Sequence, residues 1–182
     1  RLPEAGKGFD DRTLFWSLEY RGVLRKRVLS YAFERDLMHP EDCGTMTHWY
    51  SRTPLDFLRA KQPRLLSQNS GIYSEQTGLV WDIADDANLD NYFALTAAHI
   101  RNYGQAGLFH TIGLAERTYS EDREANLRLK LYVYRRICRY IRENYPGSKL
   151  LLASWDLYFT YTNDEVRRLL DELDKEQVLL LD

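Results

Sequence analysis

The chain has 182 residues, 44% of them hydrophobic and 29% charged, and its 25 Lys and Arg against 27 Asp and Glu give a formal net charge of −2. This balance offers no electrostatic footprint for nucleic acid or an anionic membrane. No run approaches the roughly 20 apolar residues that span a bilayer, so neither a nucleic-acid partner nor a membrane span is expected.

The first helix is expected from about Asp11 to Arg35, with Leu14, Leu18, Leu24, Val28, Tyr31 and Ala32 at helical spacing and Gly22 weakening its middle. Leu37 to His48 reads as a strand and a loop ending in His48, Trp49 and Tyr50. Thr53-Pro54 opens a short helix, since proline suits a first turn where its missing N–H is not needed, and Gln62-Pro63 closes it. Ser67 to Asp86 is an irregular stretch with Gly71, Gly78 and the acids Asp82, Asp85 and Asp86. A loop of that length inside a domain is commonly functional.

A helix follows from near Leu89 to Gly104, then a buried strand from Leu108 to Leu114. Ser120, ahead of Glu121 and Asp122, is the N-cap candidate for the best-defined helix, whose Leu127, Leu131, Tyr134, Cys138, Ile141 and Tyr145 draw one apolar stripe. Pro146-Gly147 ends it. Lys149 to Trp155 is a continuous apolar strand, Thr162 to Glu165 has the T-x-x-E capping-box pattern before a helix with Leu169 and Leu173, and Val178 to Leu181 is the last strand.

Continuous apolar strands separated by helices imply an α/β fold with a parallel sheet covered on both faces. With no G-x-G-x-x-G after a strand, a dinucleotide-binding sheet loses ground to parallel strand–helix units of a TIM-type (β/α)8 barrel. Residues 1–182 supply about four such units, half of what a barrel needs, so the chain reads as one incomplete barrel segment. Its start at Arg1-Leu2-Pro3-Glu4 lacks the pattern of a signal peptide, which leaves a cytoplasmic or secreted location equally compatible.

In a parallel barrel the site is built from residues that come directly after the strands. Here these are His48 and Trp49 after the first strand, Glu116 and Arg117 after the second, Trp155, Asp156 and Tyr158 after the third, and Asp182 after the fourth. Carboxylates and aromatics at strand ends are what glycoside hydrolysis requires: one acid protonates the leaving oxygen, and flat side chains with a polar tip suit sugar faces. Glu116 is the candidate catalytic acid, placed by strand alternation on the same face as His110, Ile112 and Leu114. His48, Trp49, Trp155, Asp156 and Tyr158 are candidate substrate-binding residues. Cys43 and Cys138 form no C-x-x-C and are expected as free thiols, and His39, His48, His99 and His110 show no H-E-x-x-H spacing, so no metal is expected.

This order of segments resembles the alpha-N-acetylglucosaminidase family of glycoside hydrolases. The resemblance is carried by Gly44 to His48, by Thr53-Pro54, by the Asp82 to Asp86 loop with its helix to Gly104, by Leu108 to Glu116, and by Leu151 to Trp155 and Val178 to Asp182. It implies a retaining exo-hydrolase that removes terminal alpha-linked N-acetylglucosamine from an oligosaccharide or glycoconjugate. No cofactor is implied, and Glu116 would be the proton donor. The attacking carboxylate would come from a later strand beyond Asp182, in the remainder of the barrel, so the isolated chain is expected to be inactive. Ala115 stands where related barrels usually carry an Asn that contacts the substituent next to the reacting carbon. The alternatives are a non-catalytic carbohydrate-binding or interaction domain with a barrel-like α/β fold, and an unrelated parallel α/β enzyme acting on a small molecule.

Overall fold

The computed structural model of the chain describes residues 18–37, 40–42, 60, 62, 64, 82–104, 107–111, 114 and 118–181. In chain order they form α1 (Leu18–Phe33), β1 (Pro40–Asp42), α2 (Asp86–Tyr103), β2 (Leu108–His110), α3 (Arg123–Asn144), β3 (Lys149–Ala153), α4 (Ser154–Thr160), α5 (Asn163–Glu172) and β4 (Val178–Leu181). The fold is α/β, with one sheet of order β1-β2-β3-β4 in which every neighbouring pair is parallel.

The longest helix, α3, forms for local reasons visible in its residues. Asp122 is extended and its carboxylate accepts from the amides of Glu124 and Ala125, so Asp122, not Ser120, is the N-cap. The Ser120 hydroxyl instead accepts from the Asp122 amide at 3.2 Å. An aspartate caps as well as a serine and adds a negative charge at the positive end of the helix dipole. Of the expected stripe, Leu127, Leu131, Tyr134, Cys138 and Ile141 are at most 6% exposed, while Tyr145, the C-cap, is partly buried. Val133, Ile137 and Lys130 are buried too, because α3 meets both β3 and α5 and needs a wider face than one stripe.

Phe109, Leu150 and Leu152 join Leu127, Leu131, Ile137 and Leu169 in one hydrophobic core on the helix side of the sheet. Leu108, Leu151 and Ala153 alternate with them and are buried on the opposite face, outside that core. Burial on both faces is the physical reason these strands read as unbroken apolar runs. On β4, Leu180 and Leu181 are about half exposed.

Three expectations are corrected. The strand expected from Leu108 to Leu114 ends at His110, and Leu114 lies in a turn, fully buried in the helix-side core. Strand alternation therefore does not carry from His110 to Glu116. The strand expected to reach Trp155 ends at Ala153, where α4 begins at once. Among the α1 residues whose burial is described, Gly22, Leu29 and Ala32 are buried, while Val28 and Tyr31 are exposed. Among the described elements that helix has appreciable contact with α2 alone, so the neighbour covers one face and leaves Val28 and Tyr31 outside it. In the stretch expected as strand and loop, β1 is described at Pro40–Asp42, and residues 43–48 lie outside the described residues. The helix expected after Thr53-Pro54 lies outside the described residues, apart from Ala60, which is helical.

The acidic stretch before α2 is structural where it is described. Asp85 caps α2 by accepting from Ala87, and Asp82 pairs with Arg64 at 2.7 Å. The Asn88 amide group donates to the carbonyls of Arg64 and Asp82. Asp86 accepts from Tyr132 and pairs with Arg136 on α3, both at 2.7 Å. These contacts tie the segment before α2 to the start of that helix and α2 to α3.

Candidate functional site

Because all four strands are parallel, Asp42, His110, Ala153 and Leu181 end them along one edge of the sheet. Of the segments beyond these ends, the one after β3 is best defined. Ala153 starts α4 without any side-chain cap, and Leu157, only 4% exposed, fixes the short helix to the core. With Leu157 buried, the helix turns Trp155 and Tyr158 outward, 46% and 81% exposed. Residues three apart lie on neighbouring parts of one helix face, so two aromatic side chains flank the end of β3. Asp156 lies in this helix rather than in a turn; its side chain is outside the described part of the structure. Glu116, Arg117, His48, Trp49 and Asp182 also lie outside the described residues.

Between the segment after β2, the first turns of α3 and the junction of α4 with α5 is a cleft of about 300 Å³. Its wall includes Thr118, Ser120, Arg123, Asn126, Lys130 and Tyr161. Lys130 is buried and holds its ammonium 4.8 Å from the centre of the Tyr161 ring. Arg123 closes one side by pairing with Glu165, donating from Nε at 3.1 Å and from a terminal nitrogen. That hydrogen bond holds the Glu165 carboxyl below its ordinary range, and bonds from Thr162 act the same way. The cleft stands on the strand-end side, since its wall is formed by chain segments that leave β2 and β3.

At the end of β2 stand His110 and Thr111, neither of which is marked as a site residue by the sequence. Thr111 is 2% exposed, and burial lowers the His110 pKa, which keeps the imidazole neutral at ordinary pH. Histidine inside an otherwise apolar strand end was the available signal. On the far flank, burial pushes the Cys138 thiol up to about 11, so it stays protonated. Among the described residues, no cluster of three or more His, Cys, Asp or Glu could hold a metal, and no helix is long and apolar enough to cross a membrane.

The chain has no significant match among protein-family models, curated proteins or solved structures.

Proposed function

We propose that the protein is a glycoside hydrolase and that its sheet belongs to a (β/α)8 barrel. The observation that carries this reading is the outward pair Trp155 and Tyr158 at the C-terminal end of β3, where a parallel α/β sheet offers its ligand site. Exposing two large aromatic rings beside a strand end leaves apolar area in water, which a sugar face can cover. The barrel is supported by the strand order. A doubly wound sheet reverses its order at a switch point, whereas β1 to β4 succeed one another without reversal. Leu108, Leu151 and Ala153, buried on the face away from the helix-side core, suit the filled interior of a barrel.

In this reading Glu116 protonates the departing oxygen and then draws a proton from water, and a second carboxylate attacks the anomeric carbon. His48, Trp49, Trp155, Asp156 and Tyr158 contact the sugar. The resemblance to alpha-N-acetylglucosaminidases suggests a terminal alpha-linked N-acetylglucosamine as the residue removed, with retention of configuration. The test is a panel of aryl glycosides offered to protein made from its complete reading frame, with the anomer of the product followed by NMR. Release of alpha-configured N-acetylglucosamine is expected. Sugar binding without hydrolysis of any member would make the protein a carbohydrate-binding domain instead.

A further inference from the structure

The ring of His110 ends β2, an interior strand flanked by β1 and β3. Its neighbour Phe109 is fully buried in the helix-side core, so alternation turns His110 to the opposite face, beside its register partner Leu151. There His110 Nε2 is buried and has no hydrogen-bond partner among the described residues, and one residue on the same holds for Thr111 Oγ1. Asn88 and Gln177 also carry a buried, unmatched oxygen, but each is held through its amide nitrogen, by Arg64 and Asp82 or by Cys138. His110 and Thr111 are consecutive and stand at the end of the sheet where a ligand would sit.

Native proteins leave few buried polar atoms unmatched, because each costs free energy. Unmatched polar atoms on two consecutive residues at a strand end suit a ligand that supplies a partner. We infer that His110 is a substrate-binding residue whose Nε2 hydrogen-bonds a hydroxyl of the sugar. The inference rests on the glycoside-hydrolase reading and adds to it a polar contact on the barrel-facing side of β2. The ligand chemistry is set by the nitrogen. A neutral imidazole nitrogen donates in one tautomer and accepts in the other, and a sugar hydroxyl can do either in return. An apolar ligand would leave the nitrogen as unmatched as before.

The experiment compares wild type, His110→Phe and His110→Gln, each made from the complete reading frame, by calorimetric titration with N-acetylglucosamine and by thermal unfolding. His110→Phe keeps a ring of similar size and removes the unmatched nitrogen, so its Tm should equal or exceed that of wild type. Its affinity for the sugar should fall about tenfold, the effect of one hydrogen bond. His110→Gln, whose amide nitrogen reaches a similar point, should recover part of that loss. A Tm several degrees lower in both variants would show that the nitrogen serves the fold, and unchanged sugar affinity in His110→Phe would overturn the inference. If wild type binds and hydrolyses the sugar but His110→Phe matches it, only the role of His110 fails. A wild type that does neither removes the glycoside-hydrolase reading and this contact with it.

Discussion

Leu29 of α1 lies over Gly104, the residue that ends α2: a Cβ at Gly104 would stand 3.0 Å from Leu29 Cδ1. Gly104 also has φ 96° and ψ 160°, backbone angles almost confined to glycine, while its amide still donates to the Ile100 carbonyl at 2.8 Å. The Leu29 methyl is the far end of a flexible side chain and can shift, so backbone strain dominates. Gly104→Ala should cost about 1–3 kcal/mol, read from the urea midpoint. A loss under about 0.5 kcal/mol would mean that the end of α2 relaxes freely.

Leu131 is 3% exposed in the core between α3 and the sheet. Leu131→Ala should lower stability by about 2–5 kcal/mol, the range for a buried leucine whose cavity only partly collapses. Tyr132, its neighbour, is 41% exposed. Tyr132→Phe, which removes only the hydroxyl bonded to Asp86, should change stability by less than about 1 kcal/mol. Equal losses in the two variants would contradict the placement of this helix face.

Glu165 holds the capping box of α5 and pairs with Arg123 of α3. The Arg123 hydrogen bond, followed by those from Thr162, lowers its folded pKa below the ordinary 4.5. A group with a depressed folded pKa contributes stability that is complete above its unfolded value and is lost as pH falls through the folded one. Glu124, lowered chiefly by its hydrogen bond with Arg168, acts in the same direction. Wild-type stability should therefore fall as pH drops below 4.5, and Glu165→Gln should start lower at neutral pH and fall less steeply. Parallel acid profiles, measured by urea unfolding at several pH values, would remove Glu165 from the account.

Tyr158 is 81% exposed, so Tyr158→Ala should change stability by less than about 1 kcal/mol, whereas Trp155, 46% exposed, buries part of its ring and Trp155→Ala should cost about 1–2 kcal/mol. If they form a sugar platform, each loss should weaken binding of N-acetylglucosamine oligomers by about 1–3 kcal/mol, by analogy with base–aromatic stacking. Unchanged binding in both variants would show that the sugar lies elsewhere.

Glu116→Gln should lower turnover by about 10²–10⁴-fold on substrates whose leaving group needs a proton. An activated aryl leaving group departs without that help and should suffer less. The same loss on both substrate types would make Glu116 a sugar-binding group rather than a proton donor.

The pattern of residues alone determined the parallel α/β sheet, the order of its four strands, the buried stripe of α3 and the capping box of Thr162 and Glu165. These obey short-range rules: a 3.6-residue period, a T-x-x-E pair, and apolar runs whose both faces must be covered. Tertiary structure decided where those runs stop being strands. Leu114 and Trp155 continue apolar stretches that begin as β2 and β3, yet one is a buried turn and the other opens an exposed helix. Apolar character reports burial, and burial by itself does not distinguish strand, turn and helix. The same limit governs α1, where Leu29 and Ala32 are buried but Val28 and Tyr31 face solvent, because the neighbour chooses the face. It governs His110 as well. The sequence shows a histidine in an apolar run, and only the packing around β2 shows that its buried nitrogen meets no partner among the described residues.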